Sequence, residues 1–278
     1  MSVHTLVHKR QLAAHTLETW EWVSPALGRV KRASVLVPRS CTAEGRGVSA
    51  LYLLHGFGGS RTTWLTGTRL TEHLAGLELL VVLPESGRRW FINDHRGFRY
   101  EDYLVDELIP FVDDRYAVHL GQGGRGVGGF SMGGAAALMQ ALRHPGLFDV
   151  VLSHAGAFEA PARVGDPYTG LRRDPDTAIP STEAHERVWG PPGSAVRDRY
   201  DLTALLADHD GGDLSVYADV GVDDYPRILR MNRDAARKLT ASGIETEFTE
   251  RLGGHDLAFL DRALPHSLSF ATNRLKRS

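Results

Sequence analysis

Short apolar runs alternate along most of the chain with segments of helical periodicity. Residues 48–54 and 77–83 are nearly continuous apolar runs, which is typical of strands that are covered on both faces. Further strands are predicted at residues 125–130, 149–154, 213–220 and 244–251, the last of them partly exposed. Helices are expected between these strands and after the last one. This alternation predicts an α/β fold with a largely parallel central sheet and helices on both faces.

The first forty residues have a different pattern. Residues 16–23 and 29–37 each alternate polar and apolar side chains, and the turn sequence Ser-Pro-Ala-Leu-Gly lies between them. Such alternation predicts an antiparallel pair of strands, which we place at one edge of the sheet. The clearest helix is expected at residues 100–116, where apolar side chains recur at helical spacing. Pro110 predicts a kink or a break inside that helix.

Residues 158–199 are rich in Pro, Gly, Arg and Asp and have weak periodicity. The segment is too short and too polar to build a core of its own. We therefore interpret it as an excursion over the edge of the sheet where the strands end, and we predict one domain over residues 1–278. Right-handed crossovers place the carboxyl ends of parallel strands on that same edge, so the chemistry is expected there.

The composition is that of an ordinary globular protein, with a formal net charge of -2 and a single cysteine, Cys41. This charge gives no electrostatic basis for binding nucleic acid, and one cysteine allows no intrachain disulfide. The first residues lack an apolar signal region, and no apolar run approaches the ~20 residues of a membrane span. We expect a cytoplasmic protein that associates with neither membranes nor nucleic acid; its oligomeric state stays open.

The most informative stretch joins the strand at 125–130 to a strongly helix-forming segment. Gly129, Ser131 and Gly133 there form the G-x-S-x-G pattern of a nucleophile elbow. A serine on a sharp strand-to-helix turn is crowded on both sides, so the flanking positions require glycine. The amino end of the following helix would favour negative charge beside the serine. The alternative is a glycine-rich turn that contains the serine incidentally.

A nucleophilic serine needs a base and a group that orients the base. His255 follows the last predicted strand and a Gly-Gly turn, and so fits the chain order Ser…Asp…His of this fold. The acid should follow the strand at 213–220, where Asp223 and Asp224 are both candidates. We favour Asp224; the other aspartate would then be a turn or N-cap residue.

Two backbone amides are candidates for stabilising the oxyanion that forms when a serine attacks a carbonyl. One is the amide of Met132, directly after the serine. The other belongs to the glycine-rich loop 55–59, where Phe57 is the best candidate. The alternative for this loop is a plain glycine-rich turn.

Two glycine patterns match the spacing of a dinucleotide-binding loop but lie in the wrong context. The G-x-G-x-x-G match at 121–126 precedes its strand, and the match at 124–129 runs into the serine turn. The histidines near the N-terminus do not have the spacing of metal ligands, and no zinc motif is present. The sequence therefore predicts neither a cofactor nor a metal.

Taken together, these motifs resemble the esterase D-like branch of the α/β-hydrolases. That group includes tributyrin-type esterases, S-formylglutathione hydrolases, feruloyl esterases and mycolyltransferases. The resemblance covers roughly residues 16–270, and its main marks are HGFGG at 55–59, YEDY at 100–103, GFSMGG at 129–134, SHAG at 153–156 and GGH at 253–255. It implies Ser131 as nucleophile, His255 as base and the amides of Phe57 and Met132 as oxyanion donors. Its G-x-x-D pattern, here Gly221 to Asp224, implies Asp224 as the acid.

The sequence departs from this family in places that bear on the substrate. The segment after His55-Gly56 differs from that of S-formylglutathione hydrolases, which argues against a glutathione substrate. Arg88 and Arg89 precede Trp90, where relatives tend to carry small or neutral residues. These arginines either favour an anionic substrate or are solvated loop residues. Trp64, Trp90, Phe158 and Trp189, together with Arg88, are candidate pocket residues, although each aromatic side chain could equally pack in the core.

The sequence thus predicts a serine carboxylesterase that acts on small or short-chain acyl esters through an acyl-enzyme on Ser131. Two alternatives stay open. One is an acyltransferase, because water and an alcohol would attack the same acyl-enzyme. The other is a catalytically silent binding protein of the hydrolase fold, against which the complete set of Ser131, His255 and Asp224 argues.

Overall fold

The computed structural model of the protein describes residues 3–39, 41, 47–119, 121–165, 181–209 and 212–275. Nine strands there form one sheet. They are β1 (Thr5–Gln11), β2 (His15–Ser24), β3 (Arg29–Pro38), β4 (Ser49–Leu54), β5 (Leu79–Leu83), β6 (Arg125–Phe130), β7 (Val150–His154), β8 (Ser215–Gly221) and β9 (Glu245–Arg251). Their order in the sheet is β1-β2-β3-β5-β4-β6-β7-β8-β9.

The helices of the described residues lie between and after these strands. They are α1 (Thr63–Gly67), α2 (Leu70–His73), α3 (Tyr100–Asp102), α4 (Ile109–Tyr116), α5 (Met132–Arg143), α6 (Thr182–Trp189), α7 (Ala195–Arg199), α8 (Leu202–Ala207), α9 (Pro226–Ala241) and α10 (Leu257–Arg274). No helix of this part of the chain combines the length and apolar character that would let it cross a bilayer.

The larger part of the sheet is parallel, as predicted. Strand β4 pairs in parallel with both β5 and β6, and β6, β7, β8 and β9 continue in parallel in that order. In the centre, Leu51 lies between Val81 on one side and Gly126 on the other. The carboxyl ends of these strands therefore share one edge, and the loops that follow them meet there.

The N-terminal strands are antiparallel, which confirms the predicted edge. Strands β2 and β3 pair over their whole length, with Thr19 opposite Ser34, and β3 then joins the parallel strands through β5. Strand β1 was not predicted. All of its residues are exposed, so it has no buried face that would impose alternation on its sequence.

The helix expected at residues 100–116 is present, but it changes from an α-helix to a π-helix and back to an α-helix. Residues Tyr103–Leu108 form a π-helix between α3 and α4. Pro110 then lies in the first turn of α4, where a missing N–H leaves no intrahelical hydrogen bond unmade. The chain is therefore helical on both sides of the proline, and the irregularity lies before it.

Two apolar cores lie on the two faces of the sheet. One includes Tyr52, Tyr103 and the helix α5, and the other includes Leu51, Leu53 and the helix α10. The described part of the 158–199 excursion joins the first core through α6, since the Trp189 ring packs 5.2 Å from that of Trp90. Residues 166–180 of the excursion lie outside the described residues, and the single domain over the whole chain stays a prediction.

Candidate active site

Ser131 lies at the corner between β6 and α5. Its backbone has φ 56° and ψ -112°, a conformation that L-residues rarely adopt. Backbone hydrogen bonds hold it there: the Ser131 N–H donates to the carbonyl of His154 at 2.8 Å, and its carbonyl accepts from the amides of Ala135 and Ala157, both at 3.1 Å. The surrounding fold therefore fixes a strained serine, a situation that is concentrated at functional sites.

The two glycines of the motif are required by close packing. A Cβ atom on Gly133 would overlap the carbonyl of Leu54, at the end of β4, and one on Gly129 would overlap the backbone of Gly133. Neither obstacle is a flexible side chain that could move aside. The strand, turn and helix can thus approach this closely only because residues 129 and 133 carry no side chain. This close approach explains the glycines of the sequence pattern.

The structure brings Ser131, His255 and Asp224 into one hydrogen-bonded line. The Oγ of Ser131 lies 2.8 Å from Nε2 of His255, and Nδ1 of the same ring lies 2.8 Å from Oδ2 of Asp224. The His255 side chain is 18% exposed, whereas that of Asp224 is fully buried. A hydroxyl in this position can pass its proton to the imidazole while its oxygen attacks an electrophile.

The neighbouring Asp223 occupies a different environment. Its side chain is exposed, and its backbone amide donates to the carbonyl of Gly253 at 3.0 Å. That bond ties the turn after β8 to the Gly-Gly turn before His255. Asp224 is thus the aspartate that reaches the imidazole, and Asp223 is a turn residue, the assignment that the sequence favoured.

Aromatic side chains on two sides restrict the imidazole. The Phe130 ring lies 4.9 Å from that of His255 and the Tyr225 ring 5.8 Å from it. Asp224 is restricted as well, because its Oδ1 accepts from the Tyr225 amide at 2.6 Å. Neither aromatic residue was singled out in the sequence. Their positions next to Ser131 and Asp224 in the chain were the available signal.

The two candidate oxyanion donors face the same edge of the sheet from different elements. Met132 is the first residue of α5, and Phe57 follows β4. Among the residues that the structure describes, neither amide has a protein acceptor. Amides of this kind can donate to an oxyanion on a bound substrate. Their role stays a prediction.

His55 fixes the loop that carries Phe57, a role that sequence reasoning missed. Its Nδ1 donates to the carbonyl of Gly56 at 2.7 Å, and its Nε2 accepts from the amide of Ser86 at 3.0 Å. Burial lowers the pKa of His55 to about 4, so the ring is neutral at neutral pH and Nε2 can accept. A further bond, from the Gly58 amide to the carbonyl of Gly87 at 2.9 Å, joins the same two loops.

A second buried histidine–aspartate pair lies beneath the elbow. Nδ1 of His154 is 2.8 Å from Oδ1 of Asp219, and both side chains are completely buried. The hydroxyl of Tyr217 donates to the other carboxylate oxygen at 2.9 Å and accepts from Arg251. Because the carbonyl of His154 accepts from the Ser131 amide, this network holds the strand ends on which the serine depends.

The candidate pocket residues divide into two groups. Trp64 and Trp189 are 1% and 0% exposed and pack in the two cores, the alternative that the sequence left open for them. Trp90 and Phe158 are also largely buried, at 5% and 6%. Arg88, in contrast, is exposed and lies over the Phe57 ring, with its guanidinium carbon 5.4 Å from the ring centroid.

No group of three or more His, Cys, Asp or Glu side chains suited to a metal ion occurs in the described ranges.

This architecture, with a serine at a strand–helix elbow and a mostly parallel sheet, is the α/β-hydrolase fold. A fluorophosphonate-binding serine hydrolase of Staphylococcus aureus has the same fold, with a TM-score of 0.78 at 19% sequence identity over 94% of this chain and 100% of that one. The family model described as "Putative esterase" matches residues 24–270. The chain therefore belongs to this esterase family.

Two curated relatives are also named as esterases. An acetyl esterase of Caldicellulosiruptor saccharolyticus is 26% identical over 231 residues, which cover 82% of this chain and 84% of the relative. An esterase of Mycobacterium tuberculosis is 27% identical over an alignment that covers 92% of this chain. The chain spans only 61% of the length of that mycobacterial esterase.

Proposed function

We propose that the protein is a serine carboxylesterase in which Ser131 is the nucleophile, His255 the general base and Asp224 the acid that orients the base. The observation that carries this assignment is the continuous line of two 2.8 Å hydrogen bonds from Ser131 through His255 to a buried carboxylate. Membership of the esterase family supports the reaction class.

In this mechanism the Ser131 hydroxyl attacks the ester carbonyl while His255 takes its proton. Asp224 accepts a hydrogen bond from Nδ1 of the ring, which presents Nε2 to the serine and stabilises the imidazolium. The negative charge that develops on the carbonyl oxygen is held by the amides of Phe57 and Met132. His255 then protonates the departing alcohol, and the same ring activates the water that releases the acid from Ser131.

We further propose that the acyl group is small or short. The name of the Caldicellulosiruptor relative, an acetyl esterase, supports this choice. So does the burial of the aromatic side chains that were candidate pocket walls, since Trp64, Trp90 and Trp189 are taken up by core packing. They therefore offer little open apolar surface along which a long acyl chain could lie.

The direct test is a series of initial rates on p-nitrophenyl esters from acetate to dodecanoate, measured for the wild type and Ser131→Ala. We expect the highest kcat/KM on the short esters. In the variant we expect a loss of at least about 1,000-fold, because the acyl-enzyme cannot form. An unchanged melting temperature of the variant would show that the loss is chemical.

Two results would count against the proposal in different ways. Wild-type rates in Ser131→Ala would remove the serine from the mechanism. A maximum at long acyl chains would leave the mechanism intact and overturn the proposed size of the acyl group. Adding an acceptor alcohol and analysing the products would show whether the acyl group passes to an alcohol in place of water.

A further inference from the structure

We propose that Arg88 selects esters that carry a negatively charged group close to the scissile bond. This inference rests on the proposed function, because it assigns a substrate class to the same site. It depends on three observations: Arg88 lies beside the loop that carries Phe57, it forms no ion pair among the described residues, and its guanidinium contacts the Phe57 ring.

Arg88 lies against the loop that carries the proposed oxyanion donor. Its guanidinium carbon is 5.4 Å from the centroid of the Phe57 ring. Its Nε would be 3.6 Å from a Cβ atom built on Gly58. The bond from the Gly58 amide to the Gly87 carbonyl fixes the backbone beside it. The cation is therefore held near the place where the substrate carbonyl would bind.

Three other cations near this loop contact carboxylates within the protein. Arg89 forms an ion pair with Asp94 at 2.9 Å. Lys31 and Arg61 both approach Glu85, at 3.5 and 3.4 Å. Arg88 lies three residues after Glu85 and is exposed, yet across the described ranges it forms no ion pair. It is thus a positive charge beside the site that nothing in the described structure compensates.

The contact with Phe57 suits this cation for binding an anion. A guanidinium over an aromatic face keeps its N–H groups directed outward in its own plane. Those N–H groups match the two oxygens of a carboxylate or a phosphate. Arg89 also lies over an aromatic ring, that of Phe98, but its guanidinium is already bound to Asp94.

The test compares pairs of esters that differ only in charge. One pair places the charge on the alcohol side: 4-acetoxybenzoate against 4-acetoxybenzamide. The other places it on the acyl side. Here mono-p-nitrophenyl glutarate, whose second carboxylate is free, is compared with the p-nitrophenyl ester in which that carboxylate is replaced by an amide. The measured quantity is the ratio of kcat/KM for the charged and the neutral member, after subtraction of the rate without enzyme.

For the wild type we expect the charged ester to be preferred about fivefold in at least one pair, the effect of a solvent-exposed ion pair. Arg88→Gln should remove the preference, Arg88→Glu should invert it, and Arg88→Lys should keep part of it. Added salt should weaken the wild-type preference, because the pair is screened. The ratio does not depend on how much of a variant is folded, since both esters meet the same enzyme.

Arg237→Gln is the matched control. It also removes one exposed arginine, whose partner Asp234 lies on the same helix. Its position is eleven residues beyond Pro226, the first residue of α9, or about 16 Å along the helix. We expect its ratios to equal those of the wild type.

The possible failures can be told apart. If the wild type hydrolyses no member of either pair, the proposed function fails and the inference fails with it. If the neutral esters are hydrolysed but Arg88→Gln leaves both ratios unchanged, only the role of Arg88 is overturned. An equal change in Arg237→Gln would assign the effect to the net charge of the protein and would likewise overturn it.

Discussion

At the scale of single residues, two adjacent aspartates show how little separates a candidate functional group from a turn residue. Asp224 is buried and bound to His255, while the side chain of Asp223 is exposed. The backbone of the turn after β8 decides which of them points inward, because the Asp223 amide is bound to Gly253. The two positions therefore form a natural pair of variants.

We predict that Asp224→Asn lowers kcat on a short ester by roughly 10³- to 10⁴-fold, because an amide no longer holds the required tautomer or stabilises the imidazolium. Asp223→Asn should have nearly wild-type kcat. Both variants are to be compared by steady-state kinetics, with circular dichroism as the check on folding. If Asp223→Asn proves to be the inactive variant, the acid has been assigned wrongly.

The residue-level predictions from sequence were best where chemistry and backbone geometry agree. Ser131 could be placed because Gly129 and Gly133 are dictated by contacts with Leu54 and with each other. Pocket walls could not be placed in this way. An aromatic residue such as Trp64 or Trp189 has the same sequence signature whether it lines a pocket or fills a core, and the structure places both in the core.

At the scale of elements, hydrophobic patterning predicted the strands that have a buried face. The strand expected at 125–130 has those same bounds in β6, and the strands expected at 48–54 and 77–83 differ from β4 and β5 by one or two residues at the start. Buried strands consist of apolar residues throughout, so their extent is visible. Strand β1 is exposed over its whole length and could not be found.

Connections between elements were less accessible to sequence reasoning. His55 joins the loop after β4 to the turn after β5 by bonds to Gly56 and Ser86. Nothing in the local sequence indicates a contact with a residue thirty-one positions away. Likewise, the π-helix at Tyr103–Leu108 has the apolar spacing of an ordinary helix. The long-range hydrogen bonds of His55 and the change of helix type both depend on tertiary packing, which cannot be read from the hydrophobic periodicity of the sequence.

At the scale of the whole molecule, Glu101 joins three separate parts of the chain. Its carboxylate accepts from Arg143 at the end of α5 and from the hydroxyl of Tyr200 at 2.7 Å, just after α7. His144 lies 3.2 Å from the same group. Burial by itself would raise the pKa of Glu101, but hydrogen bonds from His144, Arg143 and Tyr200 outweigh it and lower the pKa to about 2.

This shift predicts how stability depends on pH. A depressed pKa contributes stability that is fully present above the unfolded-state value of about 4.3 and is lost as the pH falls towards the folded-state value. We expect the free energy of unfolding of the wild type to fall, between about pH 5 and about pH 2, by about 3 kcal/mol more than that of Glu101→Gln. Urea denaturation across this range measures both. Parallel curves for the two proteins would show that Glu101 does not titrate as its contacts require.

Covalent labelling can determine whether Ser131 is the nucleophile of this esterase. The wild type is treated with a fluorophosphonate, and the adduct is located by intact-mass measurement and peptide mapping. We predict one adduct per chain, on Ser131, much slower labelling in Asp224→Asn and none in Ser131→Ala. An adduct on another residue, or equal labelling of Ser131→Ala, would contradict the mechanism proposed for this site.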